Sequence, residues 1–452
     1  MVPVEKNRLY TIEITDLASD GNGIGRVEGF AVFIPATAPG DVVKTLIVKV
    51  NRSCAYGRAE EIIKPSPLRR KAECPVYRRC GGCQLSHILY AEQLRLKKRF
   101  IEDAMQRLGG FKGLCAEEII GMEEPRRYRN KMVFPIGKDD EGRTVCGFYA
   151  PRSHRIIPLE DCLLGAEESS RVMRAVIAYM EESGVLPYDE ESHTGLVRRI
   201  FVRTARATGQ LMAVVSINGD SLPRPELLVR KLDFADSVIL NINKKRTNLV
   251  LGDKNVTLAG QGYIEDVLMG LRFEISPNSF FQVNPVQTEK LYEKALEYAQ
   301  LSGKERVMDV YCGIGTISLC AAKNARSVTG VEVVERAVRD AVKNAERNGI
   351  DNVRFFAADA SELVPKLIAE GETPDVVILD PPRKGSDERT LAAIAAAAPE
   401  RIVYVSCNPA TLARDAAYLK QRGYAPVRMC GVDMFPDTVH VETVVLMSRV
   451  KD

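Results

Sequence analysis

The chain has 452 residues, enough for roughly three domains, and its 45% hydrophobic and 27% charged content is that of an ordinary soluble protein with sizeable cores. A net charge of +3 excludes neither a nucleic-acid partner nor a small molecule. No signal peptide, membrane-length apolar run or lipidation motif is read, so the expected compartment is the cytoplasm. Its eleven cysteines read as free thiols rather than a disulfide framework.

Residues 1–64 alternate apolar and polar in short runs, RLYTIEITDL, GIGRVEG, FAVFIP, DVVKTLIVKV and YGRAEEII, with turns at Gly21-Asn22-Gly23 and Pro39-Gly40. Five short strands predict a small closed barrel of the OB kind, a common binder of single-stranded nucleic acid. Aromatics are few there (Tyr10, Phe30, Phe33, Tyr56), so the barrel offers little stacking surface. With its glycine-rich turn DGNGIGR, this segment resembles the TRAM domain of several RNA-modifying enzymes.

Residues 65–274 open on a linker, Pro65-Ser66-Pro67, and then Cys74, Cys80 and Cys83 in the form C-x5-C-G-G-C, with Cys162 far on. Three close cysteines and one distant one suit a four-thiolate metal site, and the count allows zinc or iron–sulfur. Ala91 to Leu108 predicts an amphipathic helix with Leu94, Phe100, Ile101, Met105 and Leu108 on one side, ended by Gly109-Gly110. From Tyr128 to about Phe273, the runs KMVFPIG, RRIFVRTA, QLMAVVSI, SVILNIN and NLVLG read as strands, with one helix near Ser169 to Ser183, giving an α+β middle domain. The basic segment Tyr128-Arg129-Asn130-Lys131 points Arg129 and Lys131 to RNA phosphates, contacts that position without specifying sequence.

Residues 275–452 alternate strands and helices, the mark of a doubly wound sheet. The strand RVMDV leads through Tyr311-Cys312-Gly313-Ile314-Gly315-Thr316 into a helix. Gly313 and Gly315 there let a ligand approach backbone amides, although the spacing is neither G-x-G-x-x-G nor a P-loop. Glu332 ends the next strand and suits ribose hydroxyls, and Asp359 ends the third and suits an adenine edge. Asp309 would orient the loop or the far end of the cofactor. Each acid alone reads as a surface residue or helix cap; three in register favour S-adenosylmethionine, because a pyrophosphate disfavours so many carboxylates. The fourth strand ends in Asp380-Pro381-Pro382-Arg383, a rigid loop able to present polar groups to a flat base. The strand IVYVS ends at Cys407 before Asn408-Pro409, at the sheet edge where ligands bind. A lone cysteine is more often a small core residue; this one is displayed.

Taken together, FFQVN (Phe280 to Asn284), DVYCGIGT, DPPRKG, SCNP and FPDTVHVE resemble the RNA uridine-5-methyltransferases, most closely the cysteine-cluster subgroup that acts on 23S ribosomal RNA. The resemblance implies three parts: a TRAM barrel, a middle domain with a 4Fe-4S cluster on Cys74, Cys80, Cys83 and Cys162, and a Rossmann-like methyltransferase domain. It carries Gln282, Tyr311, Thr316, Glu332, Asp359 and Asp380 to positions lining cofactor or base, although Thr316 stands where some members have asparagine. It makes Cys407 the nucleophile that adds to carbon 6 of uracil and Glu442 the base that removes the proton from carbon 5. Arg383 would offset enolate charge, and His440 would be a structural neighbour. The implied substrate is 23S RNA, with a flipped uridine, no obligate protein partner and a monomeric enzyme. Transfer RNA is the alternative substrate. A radical methylthiotransferase would want C-x3-C-x2-C in a different fold, and intact Cys407 and Glu442 argue against a non-catalytic RNA-binding factor.

Overall fold

The computed structural model describes residues 2–247 and 249–450. The first five strands, Leu9–Leu17, Gly23–Val27, Phe30–Ile34, Val42–Val50 and Cys54–Lys64, close into a barrel. Their period-two alternation sends Ile12, Ile14, Val32, Ile34, Val43 and Ile47 inward as one core. The glycine turn does not hang free. A Cβ on Gly21, at φ 86°, would lie 2.8 Å from Gln84 Cβ and 3.0 Å from Val439 Cγ1.

The linker helix spans Tyr90–Arg107 and buries Leu96, Lys97, Phe100, Ile101 and Met105. Two of the expected face residues are corrected: Leu108 lies past the helix end at 62% exposure, and Leu94 is only partly buried. Leu96 and Phe100 share a core with Leu17 and Ala38 of the barrel, and Val439 packs against it. Ile101 and Met105 enter the core of the C-terminal sheet. One amphipathic helix thus fastens the barrel to the far end of the chain.

The middle region is a seven-stranded sheet in the order Lys254–Ala259, Ser237–Ile242, Leu211–Ile217, Val197–Thr204, Lys131–Lys138, Thr144–Tyr149 and Ile156–Pro158. One face carries the helices Glu168–Ser183 and Pro225–Lys231. The other face, through Phe201, Met212 and Val214, joins the core of the C-terminal region. The strand expected at NLVLG does not form. Residues 249–252 are irregular, and Asn248 lies outside the described residues. The Asn241 side chain takes over the pairing there, accepting from Gly252 N at 2.8 Å and donating to its carbonyl at 2.9 Å.

The C-terminal sheet has eight strands: Val353–Ala357, Ser327–Glu332, Arg306–Val310, Val376–Leu379, Arg401–Ser406, Glu442–Arg449, Tyr424–Val432 and Ile119–Ile120. The first five are parallel, and Glu442–Arg449 runs antiparallel beside Arg401–Ser406. The order reverses beside Arg306–Val310, opening the crevice in which ligands of such sheets bind. No helix among the described residues is long and apolar enough to cross a membrane.

Candidate active site

A pocket of about 610 Å³ opens at the carboxyl ends of the parallel strands. Gln282, Tyr311, Gly313, Thr316, Glu332, Asp359, Asp380, Arg383, Cys407 and Glu442 all line it. Gly315 does not: a Cβ there would meet the Phe355 ring at 2.8 Å, so this glycine serves packing. Gly313, at φ 56°, has nothing within 4 Å of its missing Cβ and faces open space.

The cofactor end is built by backbone and carboxylate together. Glu332 accepts from Gly313 N at 3.1 Å and Val334 N at 2.9 Å, which fixes both the loop and its own oxygens. Asp359 caps the helix Ala360–Ala369 by accepting from Ser361 N at 2.8 Å. Asp309 accepts from Ser318 Oγ at 2.5 Å, tying strand to helix, while its other oxygen is buried without a partner. Burial, with help from Glu332, pushes its carboxyl up to about 7. Thr316 Oγ1 meets the Tyr292 hydroxyl at 2.7 Å, a pocket-lining tyrosine that the sequence pattern did not single out.

The other end is set by strand pairing. Ser406 pairs with Thr443 at the end of the antiparallel ladder, and Cys407 and Glu442, the residues adjoining that pair, both line the pocket. Asn408 caps the following helix and donates to the Arg383 carbonyl at 3.1 Å, which locks the Asp380–Arg383 loop to the cysteine turn. Burial and then Asp380 raise the Glu442 carboxyl to about 8, with Arg383 opposing. Burial, Glu442 and Asp380 raise the Cys407 thiol to about 11. Phe435 and His440 complete the wall, their rings edge-on at 6.0 Å. Burial and the cations Arg383, Lys97 and Arg129 lower His440 to about 4, so it stays neutral at pH 7.

Two family models match this chain: the tRNA (uracil-5-)-methyltransferase family over residues 245–450 and the TRAM domain over residues 3–60. An uncharacterized RNA methyltransferase of Clostridium tetani is 46% identical, covering 100% of this chain and 98% of its own. Another from Halalkalibacterium halodurans is 45% identical over 98% of each. The chain belongs to the RNA uracil-5-methyltransferase family. Its whole architecture is also that of the Pyrococcus abyssi tRNA (uracil-54, C5)-methyltransferase bound to S-adenosyl-L-homocysteine, with a TM-score of 0.79 and 27% identity over 97% of this chain and 100% of that one. The enzyme is therefore an S-adenosylmethionine-dependent RNA methyltransferase with an N-terminal TRAM barrel.

In this methyltransferase Glu332 holds the cofactor loop as well as facing the pocket. Glu332→Ala should weaken S-adenosylmethionine binding about 10- to 100-fold, the worth of charge-assisted hydrogen bonds, as measured by calorimetry.

The loop bearing Phe435, His440 and Glu442 is gripped by side chains that sequence reading missed. Lys97, fully buried, donates to Asp433 at 2.5 Å and to the Phe435 carbonyl at 3.0 Å. Tyr90 donates to Asp433 at 2.9 Å, and Gln93 bonds Asp437 through both its amide nitrogen and its oxygen. Asn284 and Tyr128 donate to the carbonyls of Met434 and Pro436, each at 3.0 Å. Lys97→Met would strand Asp433 as a buried unpaired charge, costing about 3–5 kcal/mol. The expected result is a lower Tm and a collapse of turnover, read by thermal melting and a methylation assay.

The four cysteines of the sequence motif sit apart from this pocket. Cys74 and Cys80 flank Val76, Ala150 and Ile157, whereas Cys83 and Cys162 flank Met122, Tyr128 and Leu164. All are free, and they act on one another: Cys162 and Cys80 raise Cys83, and Cys74 raises Cys80, in each case after burial. The chemistry of this donor set fits a thiolate-held centre. Its side chains do not stand as one, because among the described residues no group of three or more His, Cys, Asp or Glu is disposed to hold a metal ion. The expected 4Fe-4S cluster is therefore not supported by the arrangement itself. Elsewhere, Cys146, Cys320 and Cys430 are buried, Cys54 is half-buried and Cys115 is exposed.

Proposed function

We propose that the enzyme methylates carbon 5 of a uridine in 23S ribosomal RNA through a covalent adduct between Cys407 and carbon 6. The observation that carries this reading is that Cys407 and Glu442 line one pocket, close enough for Glu442 to act on the thiol, together with the carboxylates Glu332, Asp359 and Asp380. Cys407 releases its thiol proton to solvent, its sulfur adds to carbon 6, and the electron pair moves to carbon 5 and the adjoining carbonyl. Carbon 5 then attacks the sulfonium methyl in line, breaking the S–CH3 bond and leaving S-adenosyl-L-homocysteine. Glu442 takes the carbon 5 proton, and the cysteine leaves by elimination. Asp380 faces the pyrimidine edge, and Arg383 lies where charge builds on the ring.

Transfer RNA is the second reading, favoured by the P. abyssi tRNA methyltransferase. That protein aligns over 97% of this chain, so a barrel is no mark of a ribosomal substrate. The deciding experiment supplies labelled S-adenosylmethionine with either 23S RNA or transfer RNA, followed by nucleoside analysis. 5-Methyluridine in 23S RNA alone supports the first reading; label in transfer RNA alone replaces it. With 5-fluorouridine-substituted RNA the carbon 5 proton is absent, so a methylated adduct should persist on the Cys407 peptide.

The spacing and chemistry of Cys74, Cys80, Cys83 and Cys162, rather than the present placing of their side chains, support a 4Fe-4S cluster that would staple the fold, with no step of the reaction passing through it. Iron and acid-labile sulfide in anaerobically purified protein would support this; stoichiometric zinc would replace it.

A further inference from the structure

Lys131 and Arg203 stand directly opposite each other on the paired strands Lys131–Lys138 and Val197–Thr204. Arg129, two residues earlier, lies over the rings of Tyr128 at 5.9 Å and Phe435 at 6.0 Å. Nearby cations are neutralised: Arg127 pairs with Asp161, and Arg198 reaches Glu190. Arg129, Lys131 and Arg203 have no such carboxylate among the described residues, and Nε of both arginines is buried without a partner. Arg203 is 3% exposed and donates to the Ser279 carbonyl. Burial and then the two arginines push the Lys131 ammonium down to about 8. Lys131 and Arg203, held this close without a carboxylate, are costly unless an anion joins them, whereas Arg129 also faces Cys80, Cys83 and Cys162.

Their position says which anion. Asn130 N donates to the Val283 carbonyl at 2.8 Å and its Nδ2 to the Gln282 carbonyl at 3.0 Å, and both acceptor residues line the catalytic pocket. Arg129 also lines a second cleft of about 630 Å³, together with Arg206 and Gln287. Arg129 therefore lies on this cleft, and its neighbour Asn130 bonds the backbone of the pocket-lining Gln282 and Val283. We propose that Arg129, Lys131 and Arg203 form a phosphate site for the RNA backbone beside the target nucleotide, with Arg129 and Lys131 touching the phosphate and Arg203 supplying field from behind. The proposal rests on reading the pocket as a uridine site.

The test compares wild type with Lys131→Met and Arg129→Gln, each in the full chain, for binding to 23S RNA across a salt series. Each variant should lower the slope of log affinity against log salt by about 0.7, the loss of one single-strand phosphate contact. For Lys131→Met, affinity for S-adenosylmethionine should hold and Tm should stay or rise, because an uncompensated cation has gone. An unchanged slope would overturn the site. Falling Tm with an unchanged slope would make Lys131 structural, and lost cofactor affinity with an unchanged slope would assign the anion to the cofactor's carboxylate; both overturn it. Wild type is assayed alongside for 5-methyluridine, so failure of the uridine reading shows there and not in the variants.

Discussion

Cys407→Ala should lose methyl transfer by at least about 10⁴-fold while keeping S-adenosylmethionine affinity, as expected when a covalent nucleophile is removed from a preserved site. Carbon 5 of uracil is too weak a nucleophile to attack a sulfonium unaided, so without the carbon 6 adduct the methyl has no acceptor. The cofactor end depends on Glu332 and Gly313, not on the cysteine turn, which is why binding should persist. The thiol is held near 11 by burial, Glu442 and Asp380. Mass spectrometry with 5-fluorouridine-substituted RNA checks the assignment directly. An adduct surviving in Cys407→Ala would transfer the role to another thiol, with Cys312 the next pocket-lining candidate.

Glu442→Gln should do the opposite to the intermediate: turnover falls by about 10²–10⁴-fold while a methylated covalent complex accumulates on unmodified RNA. On the proposed mechanism adduct formation needs Cys407, and only its resolution needs the base. No trapped complex, with turnover intact, would sink the assignment. The pH dependence follows from the carboxyl raised to about 8 by burial and Asp380. Only the carboxylate accepts a proton, so kcat of wild type should climb as pH rises through about 8, and Glu442→Gln should lack that limb. The same shift has a stability sign. The folded state holds a proton that the unfolded chain, with its glutamate near 4.5, has released. The stabilisation from this site is therefore complete below about 4.5 and is lost as pH rises to about 8. Glutamine, neutral throughout, should flatten that fall in a series of thermal melts.

The parts of this architecture legible in sequence are those where a local pattern has a single spatial solution. Alternation over residues 1–64 closes a barrel, and acids at the ends of parallel strands must share one edge of the sheet, which is why Glu332, Asp359 and Asp380 could be grouped before any coordinates. Gly315 misled because a glycine reads alike whether a ligand or a Phe355 ring approaches it. Lys97 was invisible for another reason: a lysine on an apolar helix face looks solvated until Asp433, 336 residues later, appears against it. The two-residue strand Ile119–Ile120 carries no periodicity, and its partner Tyr424–Val432 lies some three hundred positions on. The cysteine spacing named the donors but said nothing of how their side chains turn.

The grip of Gln93 and Lys97 on the 433–437 loop has a consequence for the order in which the enzyme is made. These partners are separated by 336 to 344 positions, and the barrel turn at Gly21 leans on Val439. Domains tend to fold in the order they leave the ribosome. The clamp therefore exists long before the segment it clamps, and Cys407 is translated before the base that would release its adduct. A nascent chain can carry a cofactor crevice and a nucleophile without being able to turn over. Competence arrives only when the last strand, Glu442–Arg449, pairs between Arg401–Ser406 and Tyr424–Val432.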